Sequence, residues 1–253
     1  MSRYTLVPLL AGLLLSVELA QPVWAAPISA AEQQLIHQIK QGEALFRDDI
    51  VNDAVQRLYR ISPQHPQGLL AELRLALRLN QPEQAQAKLA QLQQSAPSSD
   101  EYADARLLVA LTEPEREVEL TQARLLARAG QYAEARERYD RLLQGRYPTP
   151  ELAQEYWQVR VGQTAEYTAA ITALEASLKQ FPRHAGLLRS LVNYYFAVNK
   201  PDTALQYLHQ LAERSTERQW AATREYDYLS GLALSDHSQA LWQDFVQRYA
   251  DLT

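Results

Sequence analysis

Histidine is the residue type in this chain whose spacing could support metal binding or acid-base catalysis. The 253-residue chain contains no cysteine and five histidines, which are His37, His65, His184, His209 and His237. No two of them follow the H-x-x-x-H or H-E-x-x-H spacing that puts two metal ligands on one helix face. The sequence also lacks a glycine-rich phosphate loop and a G-x-S-x-G nucleophile motif. We therefore expect no metal site and no cofactor.

Carboxylate pairs are the second group with a spacing that suits chemistry. Glu113 and Glu117, like Glu151 and Glu155, are four residues apart, which places both carboxylates of a pair on one helix face. A glycosidase instead needs two carboxyls that face each other across a cleft. Pairs on one helix face are typical of a solvated surface. The sequence therefore predicts that the chain is not an enzyme.

Pairs of residues one helical turn apart, each with at least one arginine, form the third group. The residue pairs are Arg74/Arg78, Arg124/Arg128 and Arg189/Asn193. The guanidinium fork binds carboxylates and phosphates through two hydrogen bonds and also stacks on sugars and aromatic rings. These pairs stand in an acidic chain of formal net charge -5, which argues against a nucleic-acid partner. Whether they form one surface depends on the elements that carry them.

Those elements are indicated by a recurring pair, an alanine followed four residues later by a large apolar side chain. The pairs are Ala54/Leu58, Ala85/Leu89, Ala135/Tyr139, Ala170/Leu174 and Ala204/Leu208. The alanines are 31, 50, 35 and 34 residues apart. Where two helices of a hairpin cross closely, one position admits only a small side chain and the next turn must fill the groove. The pattern therefore predicts repeated helical hairpins.

Two further columns keep step with the alanines. Five residues before the last four alanines, where a first helix must end, stand Asn80, Gly130, Ala165 and Asn199. Asn and Gly tolerate the left-handed conformation that ends helices. Twelve residues after the alanines, where one hairpin meets the next, stand Pro66, Pro97, Tyr147, Pro182 and Thr216. A period of about 34 residues is typical of tetratricopeptide (TPR) repeats, and an irregular helical bundle with alanine-rich interfaces is the alternative.

We therefore predict an all-α fold, a TPR-type right-handed superhelical solenoid of about five to six helical hairpins. Only 8 glycines in 253 residues suit helices, and no stretch alternates as a strand would. The 50-residue interval between Ala85 and Ala135 is longer than one repeat, and we assign its additional residues to an extra unpaired helix near 100–112. The hairpins are expected at 30–61, 66–95, 116–144, 151–180 and 186–214, with an atypical last pair at 218–234 and 237–250.

The amino terminus has the sequence pattern of an export signal and not of a helical repeat. An apolar run at 6–20 follows Arg3, and Val23 and Ala25 occupy the two positions that signal peptidase reads. A membrane anchor is the alternative, but the run is shorter than the roughly 20 apolar residues of a span and carries Glu18. We expect a cleavable signal peptide at 1–25 and a periplasmic TPR solenoid domain at 26–253. We expect no transmembrane segment in the mature chain.

In TPR arrays the first helix of each hairpin lines the concave surface. Counting back from the alanines places all three arginine-containing pairs there. We therefore predict a partner-binding groove formed by Arg74, Arg78, Arg124, Arg128, Arg189 and Asn193. This groove would clamp an acidic segment of a partner protein. The alternative is that the arginines pair with nearby glutamates such as Glu72, Glu117 or Glu119, or only solvate the face.

Aromatic side chains offer a rival hypothesis, a stacking platform for a glucan. The candidates are Tyr156, Trp157, Tyr167, Tyr194, Tyr195 and Phe196. Trp157 falls where the repeats place a core residue, and Tyr195 occupies the tyrosine position of the repeat consensus. We therefore expect these rings to belong mainly to the core.

Six short segments carry a resemblance to a known family. They are AAP at 25–27, EQQL at 32–35, GEA at 42–44, RDD at 47–49, LQQSAPS at 92–98 and QEYW at 154–157. Over essentially its whole mature length the chain resembles the N-terminal periplasmic region of the cellulose synthase operon protein C family, the outer-membrane cellulose exporter. The resemblance stops short of the family's C-terminal membrane domain.

The resemblance implies a periplasmic scaffold that links an inner-membrane cellulose synthase to outer-membrane secretion. Its partners would be proteins of the synthase and export complex, with a glucan or peptidoglycan as a further candidate. It would be associated with the outer membrane if it is part of a longer chain. Architecture alone also fits a generic periplasmic TPR adaptor in envelope assembly or peptidoglycan association.

Overall fold

The computed structural model describes residues 28–252, and every regular element in that range is a helix. The predicted signal peptide at 1–25 lies outside the described residues. The helices are α1 Ala30–Ala44, α2 Asp48–Ile61, α3 Pro66–Arg78, α4 Pro82–Ser95, α5 Asp100–Ala110, α6 Pro114–Arg128, α7 Tyr132–Leu143, α8 Pro150–Thr164, α9 Tyr167–Gln180, α10 Ala185–Ala197, α11 Pro201–Ala212, α12 Ser215–Ser230 and α13 Asp236–Arg248.

Twelve of these helices form six hairpins, and the thirteenth, α5, has no hairpin partner among the described residues. Helix α5 packs on α3 and α4, as the first helix of a following hairpin would. The all-α prediction, the hairpin positions and the extra helix near 100–112 are therefore confirmed. One boundary is wrong, because α12 ends at Ser230 and Leu234 lies in the following loop with 99% of its surface exposed.

The alanine columns lie where the two helices of a hairpin meet. All five column alanines are at most 1% exposed, and Leu58, Leu174 and Leu208 are fully buried. Leu89 is the exception, because it is only half-buried on α4. Ala170 and Leu174 share one hydrophobic cluster with Leu187 and Leu191 of the next hairpin. The small residue and its large neighbour on α9 thus pack one hairpin against the next.

The predicted helix-ending column is left-handed in all four hairpins, with φ of 56° at Asn80, 76° at Gly130, 54° at Ala165 and 57° at Asn199. Alanine at this conformation is disfavoured, since its Cβ approaches the following carbonyl oxygen. Ala165 adopts it nonetheless, and its backbone N–H closes α8 on the carbonyl of Val161. The position in the repeat, more than the residue type, sets this backbone geometry.

Two histidines cap helices where one hairpin meets the next. The Nδ1 atom of His65 accepts a hydrogen bond of 3.2 Å from the backbone N–H of Gln67 at the start of α3. The Nδ1 atom of His184 accepts one of 3.4 Å from the backbone N–H of Leu187 at the start of α10. An imidazole nitrogen accepts a hydrogen bond only while it is unprotonated. Both caps therefore require a neutral histidine.

The cap at His65 makes stability depend on pH. Burial lowers the pKa of His65, although the charges of Glu32 and Glu101 act to raise it. A lowered pKa means that the unfolded chain binds the proton more tightly, so stability is full above the ordinary pKa of about 6.5 and is lost as the pH falls. We expect the thermal midpoint to be lower at about pH 5.5 than at about pH 7.5.

The matched variant is His65→Asn, because asparagine caps a helix at any pH. We expect its midpoint to fall less than that of the wild type over the same range, measured by circular dichroism. An equal fall in both proteins would show that the cap at His65 has no part in the acid response.

Candidate partner-binding site

Arg74 of α3 is half-buried and contacts three other parts of the chain. Its guanidinium lies 3.2 Å from the carboxylate of Glu43 on α1, and the two side chains are only 13% and 8% exposed. Its Nη2 donates a hydrogen bond of 2.8 Å to the backbone carbonyl of Pro148, 74 residues further along the chain. The guanidinium also lies over the ring of Phe181, 5.1 Å from its centroid. Arg74 therefore joins the first two hairpins to the turns around α8 and α9.

Arg78, one turn further along α3, is more exposed. It forms an ion pair with Asp48 at the start of α2 and lies 5.9 Å from the ring centroid of Phe46. Arg74 and Arg78 line a cavity of about 280 Å³ whose walls also include Leu77, Leu108 and Phe181. Both arginines in this cavity already have an acidic partner from the chain itself.

The pair on α6 is held differently. Arg124 Nε donates a hydrogen bond of 3.0 Å to the carboxylate of Glu155 on α8, and the hydroxyl of Tyr139 donates another of 3.1 Å to the same carboxylate. Burial, helped by the charge of Glu155, raises the pKa of Tyr139, so the phenol stays protonated. Arg128 is exposed, and its side chain has no partner in the part of the chain that the structure describes.

Arg124 and Arg128 share a cavity of about 410 Å³ between α6, α7 and α8. Tyr132, Tyr139, Glu155 and Gln158 provide polar groups in its wall. The cavity therefore offers a carboxylate the guanidinium of Arg128, unpaired within residues 28–252, and the amide of Gln158, whereas the carboxylate of Glu155 is an acceptor already held by Arg124 and Tyr139.

The third pair, on α10, lines neither of these two cavities. Arg189 Nε donates a hydrogen bond of 2.7 Å to Glu217 on α12, and its guanidinium lies 5.1 Å from the ring centroid of Trp220. Asn193 is exposed, and its side chain has no partner within residues 28–252. The six predicted residues are thus distributed over separate places on the first helices.

Three of the arginines take part in ion pairs of one kind that recurs along the array. Each joins the first helix of one hairpin to the first helix of the next, and the pairs are Glu43–Arg74, Arg124–Glu155 and Arg189–Glu217. The partners are 31, 31 and 28 residues apart in sequence, close to the repeat period. That spacing is the signal that sequence reasoning missed.

The alternative in which the arginines pair with glutamates is therefore right in kind for these residues. Its three named partners do not pair with these arginines. Glu72 pairs with Lys88 at 2.6 Å, Glu119 pairs with Arg141 at 2.8 Å, and Glu117 forms no ion pair among residues 28–252. Of the six predicted groove residues, Arg128 and Asn193 are the two without a partner among residues 28–252.

The aromatic residues belong mainly to the core, as predicted. Tyr156, Tyr194 and Tyr195 are at most 9% exposed. Their rings contact other rings, with Tyr156 5.4 Å from Trp157 and Tyr194 5.6 Å from Tyr167 between centroids. These ring faces are therefore already covered by protein.

The stacked hairpins, joined by ion pairs between successive first helices, define a TPR solenoid, a structural repeat fold and not a catalytic one. A tetratricopeptide repeat family model matches residues 117–149, which include most of α6 and all of α7. The crystal structure of the flexible tandem repeat domain of a bacterial cellulose synthase component is 34% identical and covers 87% of this chain and 90% of that chain, with a TM-score of 0.67. The chain belongs to the family of this cellulose synthase tandem repeat domain.

Longer relatives show the same similarity. Cellulose synthase operon protein C of Salmonella typhimurium is 34% identical over 94% of this chain, and its counterpart in Escherichia coli strain K12 is 32% identical over 90%. The chain spans 20% of the length of each of these two relatives. Among residues 28–252, none of the helices has the length and apolar character needed to cross a bilayer.

Proposed function

We propose that the chain is a periplasmic TPR scaffold in bacterial cellulose biosynthesis and export, which links the synthase complex to outer-membrane secretion. The observation that carries this proposal is the 34% identity to the cellulose synthase tandem repeat domain over 90% of that solved chain. A stacked helical array offers a long surface for docking proteins. The function of the chain is then to hold partners in a fixed arrangement.

The test of this function is an in-frame deletion of residues 28–252 from the protein in its native cell. We expect secreted cellulose, measured as glucose released by cellulase, to be lost while isolated inner membranes still synthesise the polymer. Unchanged secretion would contradict the proposal. Unchanged secretion together with a defect in envelope integrity would favour the generic adaptor.

We place the docking site for an acidic partner segment at the cavity between Arg124 and Arg128. Arg128 is exposed and unpaired within the described residues, and Arg124 is 41% exposed beside its pair with Glu155. An incoming carboxylate would gain a charge-assisted hydrogen bond from Arg128 without displacing a carboxylate of the chain. Arg74 is a poorer candidate, because its guanidinium already contacts Glu43, Pro148 and Phe181.

Arg128→Glu is the sharpest variant for this site. We expect it to weaken partner binding about tenfold to hundredfold, since one charge-assisted hydrogen bond is lost and a repulsion is gained. The thermal midpoint should fall only slightly, because no ion pair within residues 28–252 is broken and only the favourable charge in the last turn of α6 is lost. The measurement is quantitative co-purification of cross-linked partners with a tagged chain.

The matched control is Arg60→Glu, an exposed arginine on the second helix of the first hairpin. It introduces the same charge change away from the cavity, so partner recovery should equal that of the wild type. Equal recovery with Arg128→Glu would place the docking site elsewhere.

A further inference from the structure

Helix α6 exposes side chains at positions that the equivalent helices bury. The positions are twelve, nine and five residues before the left-handed residue that ends each first helix. They hold Gly68, Ala71 and Leu75 in α3, Ala153, Tyr156 and Arg160 in α8, Leu187, Ser190 and Tyr194 in α10, and Val118, Thr121 and Leu125 in α6. The first three sets are buried or half-buried, whereas Val118 is 57% and Leu125 is 56% exposed. We call Val118, Thr121 and Leu125 the open face of α6.

In the other hairpins a helix covers these positions. Tyr59 of α2 packs against Gly68 of α3 so closely that a Cβ atom on the glycine would lie 2.7 Å from the tyrosine ring. Tyr156 of α8 donates a hydrogen bond of 2.8 Å to Asp140 of α7. Helix α9 covers α10 in the same way. The cover is each time the second helix of the preceding hairpin.

The open face of α6 lacks this cover because α6 follows α5. Within residues 28–252, α5 has no second helix of its own, and α6 packs mainly on α7. Leu107 of α5, together with Leu111 just after that helix, belongs to a hydrophobic cluster that includes Leu120, Leu142 and Leu143 of hairpin α6/α7. Val118 and Leu125 do not belong to that cluster. In the described part of the chain, no helix therefore lies beside Val118 and Leu125 where the other hairpins have one.

The first hairpin shows what an uncovered face looks like when it faces solvent. No hairpin precedes α1 among the described residues, and the same three positions, counted back from the left-handed Phe46, hold Gln34, His37 and Gln41. All three are polar. On α6 the equivalent outer positions are valine and leucine. An apolar pair at an uncovered helix position indicates a surface that a partner covers.

The rim of the open face shows the charge that this partner needs. A groove of about 430 Å³ beside it is lined by Gln122, Leu125, Leu126, Ala129, Gln131 and Arg138. Arg138 lies 3.9 Å from its nearest carboxylate, Glu119, which Arg141 already holds at 2.8 Å. The guanidinium of Arg138 is therefore only weakly neutralised, and an acidic side chain would be its natural partner.

We infer that an amphipathic helix of a second polypeptide covers the open face of α6, with its apolar stripe on Val118 and Leu125 and an acidic residue against Arg138. A helix fits because helices fill the same position on α3, α8 and α10. The second helices α2 and α9, each of 14 residues, indicate the length required. This inference depends on the helix columns and holds whether or not the chain acts in cellulose export.

The test is site-specific photo-cross-linking of the full chain in its native cell, with benzoylphenylalanine at position 118 or 125. The matched control carries the same probe at position 34, the equivalent place on α1. We expect adducts from 118 and 125 that map by mass spectrometry to a segment of another protein with apolar residues three and four apart and an acidic residue beside them. A synthetic peptide of that segment should then bind the purified chain.

A second variant checks that the contact is made by the open face itself. Leu125→Glu should reduce the adduct from position 118 and the affinity of the peptide at least about tenfold, because a carboxylate would be buried against apolar side chains. Its thermal midpoint should stay unchanged, since Leu125 is 56% exposed. Adducts within this chain or with a second copy of it, or a yield no higher than at position 34, would overturn the inference.

Discussion

Replacing Arg74 with alanine is expected to lower the free energy of unfolding by about 3–5 kcal/mol, because Glu43 is left as an unpaired buried charge. The Glu43 side chain is only 8% exposed, so water replaces the lost guanidinium incompletely. The carbonyl of Pro148 and the ring of Phe181 lose a contact in the same substitution. The measurement is the urea midpoint and slope followed by circular dichroism.

Arg78→Ala is the matched control on the same helix. Arg78 and its partner Asp48 are 34% and 41% exposed, and such a solvated pair contributes less than about 1 kcal/mol. A double variant, Arg74→Met with Glu43→Leu, removes both charges and should recover much of the loss. Equal midpoints for Arg74→Ala and Arg78→Ala would show that the buried pair does not support the fold.

Replacing Leu174 with alanine is expected to lower the free energy of unfolding by about 2–5 kcal/mol. Leu174 is fully buried on α9 and shares a cluster with Leu187 and Leu191 of α10, so the substitution opens a cavity between two hairpins. Denaturant titration would measure the loss.

Leu89→Ala provides the matched control, since Leu89 occupies the same column of the repeat on α4. Leu89 is half-buried, so less apolar surface is lost and we expect a cost below about 2 kcal/mol. Both substitutions replace leucine with alanine, so a difference between their losses in unfolding free energy reports burial and not residue type. A larger loss at Leu89 would contradict the assignment of Leu174 to the central cluster.

The hairpins could be predicted because their signals are local. The alanine and the large residue one turn later mark a close helix crossing, and the left-handed column marks the end of the first helix. Ala165 shows that the column is stronger than the residue type, since an alanine adopts φ of 54° there. The last pair lacks the motif, and it is there that the boundary of α12 was predicted too far along the chain.

The candidate site could be predicted only in part, because its contacts join distant residues. The arginines were placed on the first helices correctly, but Arg74 and Pro148 meet across 74 residues, which no local pattern reveals. The open face of α6 was hidden for a related reason. Val118 and Leu125 look like ordinary core residues in sequence, and they are exposed because α5 has no hairpin partner among residues 28–252.

The contact of Arg74 with Pro148 and Phe181 changes how force would pass along the array. In a solenoid whose repeats contact only their neighbours, a stretching force acts on every junction between hairpins, and the array extends at each of them. Here the contact bridges α3 to the turn before α8, so helices α4 to α7 are spanned by a parallel connection. A pull that separates α3 from α8 would therefore have to break this contact as well as the junctions between neighbouring hairpins.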